Sequence, residues 1–387
     1  MRIKLTFFAI LACLLLVLVS CVIIEEMGDT LTTQGQEESV FIQPTVVRPI
    51  NTPPSNPPLT DTENVEYPPI SRYVSPHGSD ENDGSSREQA YASVKQALLS
   101  AQAGDVALIL EGVYTEGIEL DELIGPIVII GEGDVVLDGE RNIRMGIWCE
   151  NCANITFDNL TFRNYTDVGI GVYLSDQIVM RNLTVHNNGF AVQLVDWDFE
   201  GYGIMVDESS NVLVENNGVY ENGPKPQIFP DFLMGTGINI YGCTHCQMMY
   251  NQVYNNTGGT LVEDSVAVLV EGNEIWGNDL DASADGWWDG GLWIDGGHDI
   301  TARNNIFHDN LGPGIEVSNE DNQEVHGYVL ENNISTGNYF GIYVWNFGTN
   351  DFPGERILKM VGNTFENNSY RDIMITDWEC PPDDSCD

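Results

Sequence analysis

Hydrophobic and polar residues alternate in short bursts along most of this chain, and two kinds of burst recur. The first reads apolar, any, apolar, any, Asn, and occurs at Ile155–Asn159, Ile178–Asn182, Val212–Asn216, Ile300–Asn304 and Tyr328–Asn332. Val268–Asn273 and Leu358–Asn363 are copies with Gly before the Asn. A further apolar pair and a second Asn follow each copy, as in Asn217 to Asn222 and Asn305 to Asn310. The second burst reads Gly, apolar, outward, apolar, outward, at Gly169–Tyr173, Gly203–Asp207, Gly237–Tyr241, Gly291–Asp295, Gly314–Ser318 and Gly341–Trp345, with related copies at Gly146–Trp148 and Thr260–Glu263. Period-two alternation sends Ile170, Val172, Ile204, Val206, Leu292, Ile294, Ile315 and Val317 inward. Copies of the first burst are spaced from 22 or 23 residues up to the mid thirties, which predicts the coils of a parallel solenoid with loops inserted into some turns. Asn159, Asn182, Asn216, Asn304 and Asn332 are expected to hydrogen-bond from coil to coil and to accept left-handed backbone.

Ahead of the repeats, Tyr73-Val74-Ser75-Pro76 and an Asp/Asn/Gly loop precede Gln89–Ala103, whose Ala90, Val94, Ala97, Leu98 and Ala101 share one helical face. Strand-like runs follow at Val106–Leu110, Pro126–Gly131 and Val135–Leu137. A strand, an Asx-rich loop, one amphipathic helix and then short strands resembles the opening of right-handed parallel β-helix proteins of the pectate-lyase-like superfamily. The resemblance covers residues 73 to about 370 and implies an all-β, right-handed parallel β-helix whose helix plugs the N-terminal end of the coil stack. The domain is placed at 71–370, with an acidic tail at 371–387.

Arg2 and Lys4 precede an apolar run, Leu5–Val19, in the layout of an export signal over residues 1–20. Leu18-Val19-Ser20-Cys21 resembles the lipobox of bacterial lipoproteins, which implies lipidation of Cys21 and a cell-surface or extracytoplasmic location; an uncleaved membrane anchor would leave the same domain outside. Residues 21–70 lack hydrophobic periodicity, and Thr, Gln, Glu and Pro dominate around Pro44–Pro58, the composition of a solvated spacer. The chain carries 59 acidic and 15 basic residues, a net charge of −44. Such a surface repels nucleic acid, anionic membrane and bare polyuronates unless metal ions intervene, so membrane contact is expected only through the lipid anchor. A monomer is expected.

The six cysteines after Cys21 fall into pairs, Cys149 with Cys152, Cys243 with Cys246, and Cys380 with Cys386. The two C-x-x-C segments lie three coils apart, roughly 14 Å at about 4.8 Å per coil, too far for one zinc ion or a cross-linking disulfide. Two local turn disulfides are expected, with Cys380 and Cys386 closing the tail.

Candidate chemistry lies in the outward columns of the second burst. One column runs Trp148, Gly171, Met205, Asn239, Leu261, Trp293, Glu316, Tyr343; the other runs Tyr173, Asp207, Tyr241, Glu263, Asp295, Ser318, Trp345. Aromatic faces stack on sugar rings and carboxylates accept hydroxyl hydrogen bonds, so Trp293, Tyr241, Tyr343, Trp345 and Asp207, with Trp287 and Trp288 from an inserted loop, form a candidate polysaccharide platform. Insertions at Ala191–Glu200, Pro224–Met234, Asp279–Asp289 and Asn346–Arg356 flank that face and would wall a groove. Asp295 and Glu316 are the candidate acid/base pair for glycosidic cleavage, with Glu263 modulating them. The same carboxylates with Asp285 and Asp289 could instead hold Ca²⁺, as could Asp80 and Asp83 in the N-terminal loop. His298 is either a proton carrier or a turn cap. Calcium use would suit the lyases of the superfamily, but no Lys stands in the outward columns to act as base. The Asn-Ser-Asp-Asp run of family-nine pectate lyases and the Asn-Thr-Asp and Gly-His-Gly motifs of polygalacturonases are not found. Trp293-Ile294-Asp295 is similar to a piece of family-one pectate lyases. The readings are a glycosidase, a non-catalytic glycan-binding or adhesive module, and a Ca²⁺-dependent polyuronate lyase or epimerase.

Overall fold

In the computed structural model, which describes residues 67–190, 192–195, 198–224, 233–279, 290–321 and 323–377, the second burst becomes one continuous parallel sheet. Its strands stack in chain order: β1 (Ile118–Asp121), β2 (Met145–Glu150), β3 (Val168–Tyr173), β4 (Tyr202–Asp207), β5 (Thr236–Tyr241), β6 (Gly258–Glu263), β7 (Leu292–Asp295), β8 (Pro313–Ser318), β9 (Phe340–Trp345) and β10 (Arg371–Thr376). The short strands of the Asn-ending burst stack into a second, larger parallel array. The architecture is the expected right-handed parallel β-helix. It extends past residue 370, because β10 pairs with β9 where the tail was expected to begin.

Alternation explains the core. Ile170, Val172, Ile204, Val206, Ile238, Ile240, Val262, Leu292, Ile294, Ile315 and Val317 are fully buried, each contributing about 1.5–3 kcal/mol of apolar transfer free energy. At the head of several bursts Gly lets backbone approach backbone: a Cβ on Gly291 would sit 2.2 Å from the carbonyl oxygen of Gly314 one coil on. The N-terminal helix, α1 (Val94–Ser100), is shorter than expected. Its start is fixed by Ser93, whose hydroxyl accepts from the Gln96 N–H, and by Tyr91, which bridges to Val74 and so is held extended. Of the expected face, Val94, Ala97 and Leu98 are buried within α1, while Ala90 is buried ahead of it and Ala101, at its C-cap, is partly buried.

Two buried asparagine ladders bind coil to coil. One runs Asn217, Asn251, Asn273, Asn305, Asn333, Asn363; in each step the backbone N–H and the side-chain amide of one Asn both donate to the Oδ1 of the next, at 2.8–3.0 Å. The other runs Asn188, Asn222, Asn256, Asn278, Asn310, Asn338, Asn368 with the same bonding. The first ladder lies one residue beyond the expected asparagines, which bond from coil to coil as well: Asn159 donates to the Gly131 carbonyl, Asn182 to Asp158, Asn216 to Asn182 and Asn304 to Glu271. Asn159, Asn182, Asn216, Asn304 and Asn332 hold the left-handed turn, with φ between 53° and 57°, and that turn aims the following residue inward.

On the outer face of the larger array, His186, Tyr220, Tyr254, Trp276 and His308 stack in register, with centroids 4.4–5.6 Å apart and planes within 11°. Cys243 and Cys246 are joined in a disulfide. Cys149 and Cys152 are instead free, buried thiols. Cys149 lies within β2, in register with the core Val172, rather than in the turn. Cys21, Cys380 and Cys386 lie outside the described residues.

Replacing a ladder residue should expose the dependence on these bonds. Asn278 accepts from the backbone and side chain of Asn256 and donates to the Val253 carbonyl and to Asn310. Asn278→Ala strands several buried polar groups at about 1–3 kcal/mol each, so urea denaturation should show a loss of about 3 kcal/mol or more. A loss under about 1 kcal/mol, the worth of an ordinary hydrogen bond, would contradict this account.

Candidate functional site

Strand register brings the polar side chains together. Tyr241, Glu263, Asp295 and Ser318 sit side by side on β5, β6, β7 and β8, at about 4.8 Å per strand. Leu261, Trp293, Glu316 and Tyr343 make the neighbouring column. Both columns follow the order expected from the alternation. Asp207 pairs with Tyr173 and Tyr241 and so stands two strands away from Glu263.

Asp295 is held by its surroundings. The Trp293 indole N–H donates to the Ser318 hydroxyl at 2.7 Å, and that hydroxyl donates to Asp295 Oδ1 at 2.6 Å. The Glu320 backbone N–H donates to the same oxygen at 3.0 Å. Burial pushes the Asp295 carboxyl up, while the Ser318 and Glu320 bonds draw it back down. Glu263 has no such counterweight: burial first, then the negative charges of Asp295, Asp264 and Asp321, raise it to about 7. The two neighbouring carboxyls are unequal: both are raised by burial, but only Asp295 has hydrogen bonds that support its charged form, whereas Glu263 also feels the Asp295 charge.

The turns after β6 and β8 complete the site with residues that sequence reasoning passed over. Asp264 accepts from the Gln323 side-chain amide at 2.6 Å and lies against Gly296, where a Cβ would come within 2.4 Å of Asp264 Oδ1. Gln323 is tied to Asn319 through two hydrogen bonds, and the Asn346 amide donates to the Asn319 carbonyl. A signal was present: Glu263-Asp264 and Ser318-Asn319-Glu320-Asp321 are polar runs at the same point of repeats two coils apart.

Several expected site residues are placed otherwise. Glu316 is buried, with 2% of its surface exposed, and accepts a hydrogen bond from the Trp345 indole. It sits among the structural aromatics rather than across from Asp295 as half of an acid/base pair. Tyr343 and Trp345 are buried with Phe340 and Met374 in a small apolar cluster of their own, so they support the face instead of presenting rings to a sugar. Phe347 and Phe352, expected in a groove wall, pack against the main core. Tyr241 is the exposed aromatic of the column. Asp80 accepts from the backbone N–H of Ala92 and of Ser93 and from the Ser93 hydroxyl, all at 2.9 Å, while Asp83 accepts from the Ser85 N–H at 2.9 Å. Those carboxylates are engaged in shaping the turns before α1, which leaves them poorly placed as a calcium cage. Trp287, Trp288, Asp285 and Asp289 lie outside the described residues.

A family model described as a right handed beta helix region matches residues 127–265 and 197–369. Among solved structures, pectate lyase Pel9A is similar at 16% identity over 84% of this chain and 83% of its own, with a TM-score of 0.58. The A-module of the Azotobacter vinelandii mannuronan C-5 epimerase AlgE4 is similar at 15% identity over 74% and 91%, with a TM-score of 0.45. A GH136 lacto-N-biosidase from Eubacterium ramulus is similar at 15% identity over 80% and 67%, with a TM-score of 0.47. No curated protein matches. At 16% identity the likeness to the pectate lyase concerns the fold.

The Glu263 carboxyl gives the site a signature in stability. Its folded value, about 7, exceeds the ordinary 4.5, so between those pH values the folded chain holds a proton that the unfolded chain has released. The resulting stabilisation is complete below about pH 4.5 and is lost as the pH rises through about 7; Asp295, also raised, acts in the same direction. Denaturant titrations across this window should show falling stability, with a smaller slope in Glu263→Gln. An unchanged slope in that variant would remove Glu263 as the proton holder.

Proposed function

The chain belongs to the right-handed parallel β-helix family, and on that premise we propose that it is a polysaccharide-active enzyme that cleaves a glycosidic bond between Glu263 and Asp295. The observation that carries this reading is the unequal carboxyl pair on adjacent strands: Glu263 raised to about 7, Asp295 with its charged form supported by Ser318 and the Glu320 N–H. Side chains leaving adjacent strands in register start about 4.8 Å apart, close to the ~5–5.5 Å of a pair that works with retention of configuration.

In that mechanism Glu263 gives its proton to the leaving oxygen as the C–O bond breaks. Asp295 attacks the anomeric carbon and forms a glycosyl ester. Both hydrogen bonds to Asp295 fall on Oδ1, which assigns the attack to Oδ2. Water, losing a proton to Glu263, then hydrolyses the ester and restores both groups. Exposed Tyr241, beside Glu263, supplies an aromatic surface for the sugar next to the scissile bond. The net charge of −44 favours a neutral polysaccharide over an acidic one. The lipobox-like sequence ending at Cys21 adds a lipid anchor and a place at the cell surface to this reading, with residues 21–70 as the spacer.

The test is a panel of neutral and acidic polysaccharides, assayed for reducing ends and for the ultraviolet absorbance of an unsaturated product, with and without Ca²⁺. Reducing ends without that absorbance are expected. Glu263→Gln and Asp295→Asn should each lower turnover by about 10²-fold or more with binding retained. Glu316→Gln should disturb stability more than the catalytic step. Chelator-sensitive formation of the unsaturated product would replace this reading with a lyase, and glycan binding without turnover would replace it with a binding module.

A further inference from the structure

Beyond the carboxylate site, the turn that follows β7 carries a second constellation. His298 and His326 occupy equivalent positions on successive coils, paired through an isolated bridge. Their imidazoles stack with centroids 4.6 Å apart and planes within 9°. Asp299 stands between them, its Oδ2 2.9 Å from His298 Nδ1 and 3.9 Å from His326 Nε2. One ligand atom from each of the three residues falls within 4.8 Å of the others. We infer that His298, Asp299 and His326 form a binding site for a divalent transition-metal cation of the zinc class, which clips one coil to the next.

Four features point to a cation there. First, two imidazoles and a carboxylate from successive coils bring one ligand atom each within 4.8 Å of the others. Second, the Nδ1 atom of His326 is buried without a hydrogen-bond partner among the described residues. No such bond fixes that ring's tautomer, and the other nitrogen, Nε2, is the one that faces Asp299. Third, the carboxylate is positioned by backbone rather than by chance. Asp299 has φ of 58°, and its Oδ1 rests on Gly327, where φ is 74° and a Cβ would approach to 2.4 Å. Fourth, bonds of about 2.0–2.1 Å to a tetrahedral zinc put its ligands about 3.3 Å apart. The two separations from Oδ2, 2.9 and 3.9 Å, lie either side of that value, and the parallel rings turn about their side-chain torsions to aim both lone pairs at one ion. Two imidazoles and one carboxylate suit zinc, copper or nickel and do not suit Ca²⁺ or Mg²⁺. All three residues are at least one-third exposed, so the cation has a route in.

The position gives the cation a task. The segment between β8 and His326 carries the Glu320 N–H onto Asp295 and the Gln323 amide onto Asp264. Fixing His326 to the preceding coil therefore fixes that segment at the far end from β8. This inference stands on the histidine geometry and does not require the glycosidase reading.

Isothermal titration of Zn²⁺ into the metal-stripped full-length chain tests it, with Ca²⁺ and Mg²⁺ titrated alongside. One Zn²⁺ per chain is expected, undisturbed by either hard cation. Affinity should fall tenfold or more in His326→Ala and in Asp299→Asn. It should be unchanged in His308→Ala, whose imidazole pairs with Glu274 and Asp309 on the other array. Co²⁺ loaded into the unaltered chain should give the strong visible absorption of a four-coordinate site, bleached by Zn²⁺, a readout that needs no variant to fold. Absence of Zn²⁺ binding, or binding that survives loss of both His298 and His326, as it would if Cys149 and Cys152 were the ligands, overturns the proposal.

Discussion

Register between coils is the constraint on which everything else in this molecule depends. Each residue of the stack has a partner one coil above and one below, and the two asparagine ladders fix that correspondence with paired hydrogen bonds in a buried setting. Apolar burial alone would tolerate sliding, because one Ile or Val resembles another. Amide chains do not, since a one-residue slip leaves a whole column of buried donors and acceptors unmatched. The fully buried Ile and Val columns and the asparagine ladders thus divide the work between cohesion and alignment.

The candidate site is a by-product of that alignment turned to use. Because register is fixed, residues distant in sequence are delivered to neighbouring positions without a dedicated scaffold: Glu263 beside Asp295, Asp295 beside Ser318. The price is electrostatic, since a buried Asp295 and a half-buried Glu263 at strand spacing cannot both ionise freely. The conflict is resolved by unequal support. Ser318, itself steadied by the Trp293 indole, and the Glu320 N–H favour the charged form of Asp295, and Glu263 takes the proton.

Much of this was legible in the alternation of apolar and polar residues. Period two identified the inward Ile and Val and ordered both outward columns, because a parallel strand leaves side chains no other choice. Burial of Glu316, Tyr343 and Trp345 was not legible, since an outward position on a strand reaches solvent only if nothing packs over it. The asparagine ladder beginning at Asn217 was read one residue early, because a left-handed turn residue and the inward residue after it can both be Asn, as Asn216 and Asn217 are. Asp264, Glu320, Gln323 and His326 lie in turns, where alternation carries no information and only the folded path shows which turns meet.

The free lengths between rungs have a consequence for how such a chain can change. Along one asparagine ladder, neighbouring members are separated by 22, 28, 30, 32 or 34 residues, yet each rung stacks on the next in the same geometry. Residues gained or lost in a turn are absorbed there, whereas one gained or lost within a rung would invert inside and outside for the rest of that strand. Variation by insertion and deletion is thereby channelled to the corners beside the carboxylate face. Descendants of this sequence could acquire new rims around an inherited floor, and so new tastes in ligand, while the stack beneath keeps its count.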